Sequence, residues 1–123
     1  MTVVVADYDE AIAFYTGALG FELREDSVLS STKRWVVVAP KGGEAGVLLA
    51  KAADEQQADR VGDQTGGRVG FFLHTEDFAG DHERITAAGV RFVEGPRTEE
   101  YGTVAVFEDL YGNRWDLIER SDP

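Results

Sequence analysis

The chain has 123 residues, 43% of them hydrophobic, 28% charged and 11% aromatic, which suits one compact domain with a real core and argues against intrinsic disorder. Twelve Lys and Arg against twenty-three Asp and Glu give a formal charge of -11, a field that repels phosphate backbones and so makes nucleic acid an unexpected partner, while it would attract a cationic ligand. Cys is absent, which removes thiolate metal sites, cysteine nucleophiles and disulfides. No stretch approaches the roughly 20 apolar residues of a membrane span, and no basic-then-apolar leader opens the chain, so a cytoplasmic protein with no membrane partner is expected.

In chain order, Val3, Val4, Val5 and Ala6 read as a short buried strand. Asp7, with Glu10 three residues later, resembles a capping box that opens a helix carrying Ala11, Phe14, Tyr15 and Ala18 at helical spacing. Gly20 ends that helix, and Phe21 to Arg24 alternates as a strand. A candidate hairpin follows, from Trp35 through Ala39, across residues 40–43, and back from Gly46 to Ala50. Residues 53–65 are polar and read as a connection holding a short helix near Asp54. The same order then returns. Val69 to Thr75 is a strand, Asp77 caps a helix with Phe78, Ile85 and Ala88, Gly89 ends it, and Val90 to Val93 alternates. A second hairpin runs from Thr103 to Phe107, turns near Gly112, and returns from Trp115 to Ile118. Asp7 maps on Asp77 at an offset of 70, Gly20 on Gly89 at 69, and Val36 on Val104 and Leu48 on Asp116 at 68. The chain therefore reads as one α+β domain of two pseudo-symmetric βαβββ modules: module one over residues 1–52, a linker over 53–65, and module two over 66–121. Helices are expected outside and a curved mixed sheet inside.

Three strings, Asp7-Tyr8-Asp9-Glu10-Ala11-Ile12-Ala13-Phe14-Tyr15, Leu19-Gly20-Phe21 and Asp109-Leu110-Tyr111-Gly112-Asn113-Arg114-Trp115-Asp116-Leu117, resemble the vicinal oxygen chelate (VOC) superfamily. That group includes glyoxalase I, bleomycin resistance proteins, fosfomycin resistance enzymes, methylmalonyl-CoA epimerases and extradiol dioxygenases. The resemblance covers essentially the whole chain. It implies paired βαβββ modules around a small-molecule cavity, often completed by a homodimer. It also implies, for most enzymes of the group, a divalent metal held by one residue from the first and last strand of each module. Here those positions fall at or before Met1 and on Leu48, Gly70 and Asp116. One donor of four cannot hold a divalent ion tightly, so neither a metal nor another cofactor is expected.

Strand alternation sorts candidate site residues by face, and a one-residue slip would exchange the faces. Phe71, Leu73, Trp115 and Leu117 suit the helix side, leaving Phe72, His74, Arg114 and Asp116 for the cavity. The repeat equates Thr103 with Trp35, so Thr103, Ala105 and Phe107 are expected to join Trp35 and Val37 in lining it. An aromatic cavity with few polar groups suits a small molecule. His74 reads as a general base or ligand contact, or as a structural His bonded to a backbone carbonyl. Asp116 reads as a general base, a cation anchor, or a carboxylate neutralised by Arg114. Trp35 reads as a stacking surface or as core, Tyr101 as a lid or as loop packing, and His82 as part of a solvated helix.

Phosphate-binding loops and nucleophile elbows are absent from the sequence. Three functions remain. The leading one is a small-molecule binding protein like the bleomycin resistance proteins, working without the family's metal on a cationic or aromatic ligand. The second is a lyase, epimerase or dioxygenase that uses His74 and Asp116. The third is a structural or regulatory dimeric module.

Overall fold

The computed structural model describes residues 1–121. They form two compact units, Met1–Gln64 and a second that begins at Thr65. Each is a four-stranded mixed sheet with a helix across one face, and the two have the same strand order.

The first unit runs β1 (Thr2–Val5), α1 (Tyr8–Ala13), a π-helical turn (Phe14–Ala18), β2 (Glu22–Val28), β3 (Arg34–Ala39), β4 (Val47–Lys51) and the short α2 (Glu55–Ala58). Its sheet order is β1-β4-β3-β2, with β1 parallel to β4 and the other pairs antiparallel. Val3, Val5, Val36, Val38 and Leu49 are fully buried, as are Ala11 and Tyr15 of the helical segment. Asp7 caps α1, its carboxylate accepting the Glu10 N–H at 2.8 Å, as the Asp-x-x-Glu string predicts. Residues 53–64, expected as a linker, are largely built into this unit. Asp54 caps α2, and Gln64 docks on the open edge of β1, where its Oε1 accepts the Val4 N–H at 2.9 Å and its Nε2 donates to the Thr2 carbonyl at 2.6 Å. The amide thus occupies backbone groups that would otherwise face another strand.

The second unit runs β5 (Val69–His74), α3 (Phe78–Ala87), β6 (Phe92–Glu99), β7 (Gly102–Glu108) and β8 (Arg114–Arg120), in sheet order β5-β8-β7-β6. One cross-strand row on the helix side is wholly aromatic. Phe92 lies opposite Phe107, Phe107 opposite Trp115, and Trp115 opposite Phe71, with ring centroids 5.6, 6.0 and 4.9 Å apart. His82 of α3 extends it, 4.2 Å from the Phe92 ring and 5.7 Å from Phe78. This corrects the reading of His82 as part of a solvated helix: its ring is packed between two aromatics.

The two modules match strand for strand, and the offsets acquire physical causes. The step from 70 to 69 lies inside the first helix. Leu19 N–H reaches back five residues to Phe14, and Phe21 N–H six residues to Tyr15, whereas the matching Val90 N–H reaches back five to Ile85. One extra residue in module one is therefore absorbed as a π-turn, so the helix expected over residues 7–20 is α-helical only at its start. The step from 69 to 68 lies in the last hairpin, which turns over residues 40–46 in module one and 109–113 in module two. On the helix side Val36 opposes Leu49, and its counterpart pair is Ala105 with Leu117. Val36 thus corresponds to Ala105, one residue beyond the expected Val104.

Candidate functional site

The side of each sheet turned away from its helix carries the candidate residues. In the first unit, Arg34 marks the helix side: its N–H donates to the Tyr8 hydroxyl at 3.2 Å, its guanidinium lies 5.1 Å from the Tyr8 ring centroid, and it pairs with Asp26 at 2.7 Å and Asp9 at 2.9 Å. Alternation then turns Trp35 and Val37 to the open side with Leu48, and Trp35 is 42% exposed, large for an indole. This face is apolar at its centre.

The open face of the second unit is built in rows. Glu94, Val106, Asp116 and Phe72 form one, and Arg97, Val104, Ile118 and His74 the next. Phe72 is 57% exposed and His74 is exposed, while Val104 and Val106 are buried. Arg114 lies on the same face, opposite Glu108. Phe72, His74, Arg114 and Asp116 therefore share a face, as alternation predicts.

Thr103 and Phe107 do not join them. Thr103 opposes Glu119, whose carboxylate accepts the Phe78 N–H of α3 at 2.7 Å, and Phe107, fully buried, sits in the aromatic row under the helix. The expectation that Thr103, Ala105 and Phe107 line the site fails by one residue of register, because Trp35 corresponds to Val104 and not to Thr103. The cause is the compact second turn. The Asp109 carboxylate accepts the N–H groups of Tyr111 and Asn113 and the Asn113 side-chain amide, each at 3.0 Å, and Gly112 adopts φ 101°. Asp109 and Asn113 are both buried, so this network rather than solvent satisfies them.

Asp116 is not neutralised by Arg114. Among the described residues it makes no side-chain hydrogen bond or ion pair, and burial pushes its carboxyl above the ordinary Asp value, against the pull of the Arg97 charge and with a further push from Glu94. Arg97 is held in place: its Nε donates to Glu99 at 3.0 Å and its Nη1 to Glu94 at 3.1 Å. The nearby Tyr101 hydroxyl, with Glu99 and Glu94, raises the guanidinium pKa. Tyr101, 48% exposed, is thus a partner of Arg97 at the β6–β7 turn. The signal that could have found Arg97 is the alternation of β6, but bulges between Phe92 and Glu94 and between Glu94 and Arg97 break its period. His74 makes no side-chain hydrogen bond among the described residues, so the reading as a carbonyl-bonded structural His is not what the structure contains.

A metal fits this donor set poorly. A side chain at Gly70 would run into Thr65, Leu48 offers no donor, and no cluster of three or more His, Asp or Glu is found among the described residues.

Two βαβββ modules, each with a parallel first and last strand and a helix across one face, define the fold class of this chain. The Glyoxalase/Bleomycin resistance protein/Dioxygenase superfamily model matches residues 1–117, and the chain belongs to that superfamily. An uncharacterized protein of Shewanella frigidimarina is 51% identical over 99% of this chain and 92% of its own. Among solved structures, UcmS2 matches at 38% identity and a TM-score of 0.84, covering 96% of this chain and 93% of that one. TnmS3, an antibiotic binding protein from Streptomyces sp. CB03234, matches at 30% identity and a TM-score of 0.79 over 98% of this chain and 93% of its own. Among the described residues no helix is long and apolar enough to cross a membrane.

Proposed function

We propose that this protein binds a small, partly planar organic molecule and sequesters it without a resident metal. The observation that carries the reading is the exposed ring of Phe72 on the open face of the second unit, with the half-buried Asp116, unpaired among the described residues, opposite it. An exposed phenyl ring offers apolar area, and such a carboxylate offers orientation. Likeness to TnmS3, an antibiotic binding protein, supports the reading. His74 and Arg114 are the further polar groups of the site, and the acting species is a cytoplasmic homodimer.

The test is a thermal-shift screen of planar aromatic antibiotics, catechols and thioesters, followed by calorimetric titration. A ligand at one hundred times its dissociation constant stabilises by about 2.7 kcal/mol. Binding should weaken in Phe72→Ala. Hits that bind equally well to that variant would place the site elsewhere, and turnover of a thioester or catechol would replace sequestration with catalysis.

A further inference from the structure

Two features of the second unit's open face lie side by side without satisfying each other. Arg97 is tied by Glu94, Glu99 and Tyr101, which fixes the plane of its fork while leaving some of its five N–H donors unspent. Asp116, on the neighbouring row, accepts no hydrogen bond among the described residues. An oriented donor therefore stands next to an oriented acceptor, beside the exposed ring of Phe72. A simple cation drawn to Asp116 meets the Arg97 charge, and a simple anion drawn to Arg97 meets Asp116, Glu94 and Glu99. A neutral group that carries a carbonyl oxygen beside an N–H satisfies both without either repulsion.

We infer that Arg97 is a specificity-determining residue of this face, and that Arg97 and Asp116 together select ligands bearing a carboxamide-like edge, a carbonyl acceptor adjacent to an N–H donor, over simple cations and anions. The inference rests on the proposed binding reading and narrows it, replacing the cationic ligand that net charge alone suggests. Arg97 would donate to the carbonyl, Asp116 would accept from the N–H, and the apolar body of the ligand would lie against Phe72.

Three probes that share a ring and differ in one group test it: naphthamide, naphthoate and naphthylmethylammonium, measured by calorimetry on the full chain at neutral pH. Naphthamide should bind tightest. Arg97→Gln should weaken naphthamide by about tenfold, the order of one charge-assisted hydrogen bond, and should strengthen the ammonium. Arg97→Lys keeps the charge and loses the planar fork, so it should not recover the naphthamide affinity. Asp116→Asn should strengthen the naphthoate. Near-UV circular dichroism checks that each variant is folded. If Phe72→Ala weakens naphthamide but Arg97→Gln does not, the inference falls and the binding reading stands. Tightest binding of the ammonium to the unaltered protein overturns the inference in favour of a plain cation site. If none of the three binds, this face is not a site and both readings fall.

Discussion

At the scale of single residues, two aromatics with similar sequence surroundings do opposite work. Phe107 and Trp35 both sit in the third strand of a module, but Phe107 is fully buried beneath α3 and Trp35 is 42% exposed. Phe107→Ala should cost about 3–5 kcal/mol in urea unfolding, the usual range for a buried aromatic, because the aromatic row cannot collapse into the gap. Trp35→Ala should leave unfolding nearly unchanged. Asp26 supports a pH prediction. The Arg34 guanidinium hydrogen-bonds its carboxylate and holds it below the ordinary value. A carboxyl whose folded pKa lies below its unfolded value of about 3.9 adds stability above that pH and loses it as pH falls through the folded value. The melting temperature of the unaltered protein should therefore exceed that of Asp26→Asn at neutral pH, and the gap should close below about pH 4.

At the scale of elements, the β7–β8 turn decides which face each residue of two strands occupies. Three hydrogen bonds converge on the buried Asp109 carboxylate, and the chain reverses within residues 109–113. Removing a buried acceptor leaves its donors unsatisfied, so Asp109→Ala should destabilise by roughly 1–3 kcal/mol. It should also broaden the amide resonances of Tyr111 and Asn113, and sharp, unshifted resonances would show that the turn is held by backbone alone. In the first module the corresponding turn relies on Arg24, whose guanidinium donates to the Pro40 and Gly43 carbonyls at 3.1 Å each. That side chain is half exposed, so its loss should cost less.

At the scale of the whole molecule, the family's metal and dimer become measurable. With Asp116 as the lone carboxylate among the expected ligand positions, chelator should leave the melting temperature unchanged, and elemental analysis should find no stoichiometric divalent ion. About one equivalent of metal per chain, lost in Asp116→Ala, would refute this. The proposed homodimer predicts twice the chain mass of 13.5 kDa in light scattering.

The internal repeat was legible in the sequence because caps, helix stops and strand periods depend on neighbours a few residues apart. Asp7 and Asp77 cap helices, and Phe71, Phe72 and His74 alternate as β5 requires. Asp116 and Phe72 were placed on one face for the same reason, since the pairing of residues 71–74 with 115–118 is regular. What the sequence alone misplaced turns on single-residue slips. The extra residue of the first helix became a π-turn, and the shorter second hairpin carried Thr103 and Phe107 to the helix side. Period 2 tells which residues share a face but not which face they share; that is decided by the register hydrogen bonds impose between distant strands and by which side α3 covers. Arg97 was hidden for the same reason. Two bulges interrupt β6, and only the fold brings Glu94, Glu99 and Tyr101 around its guanidinium next to a carboxylate that has no partner among the described residues.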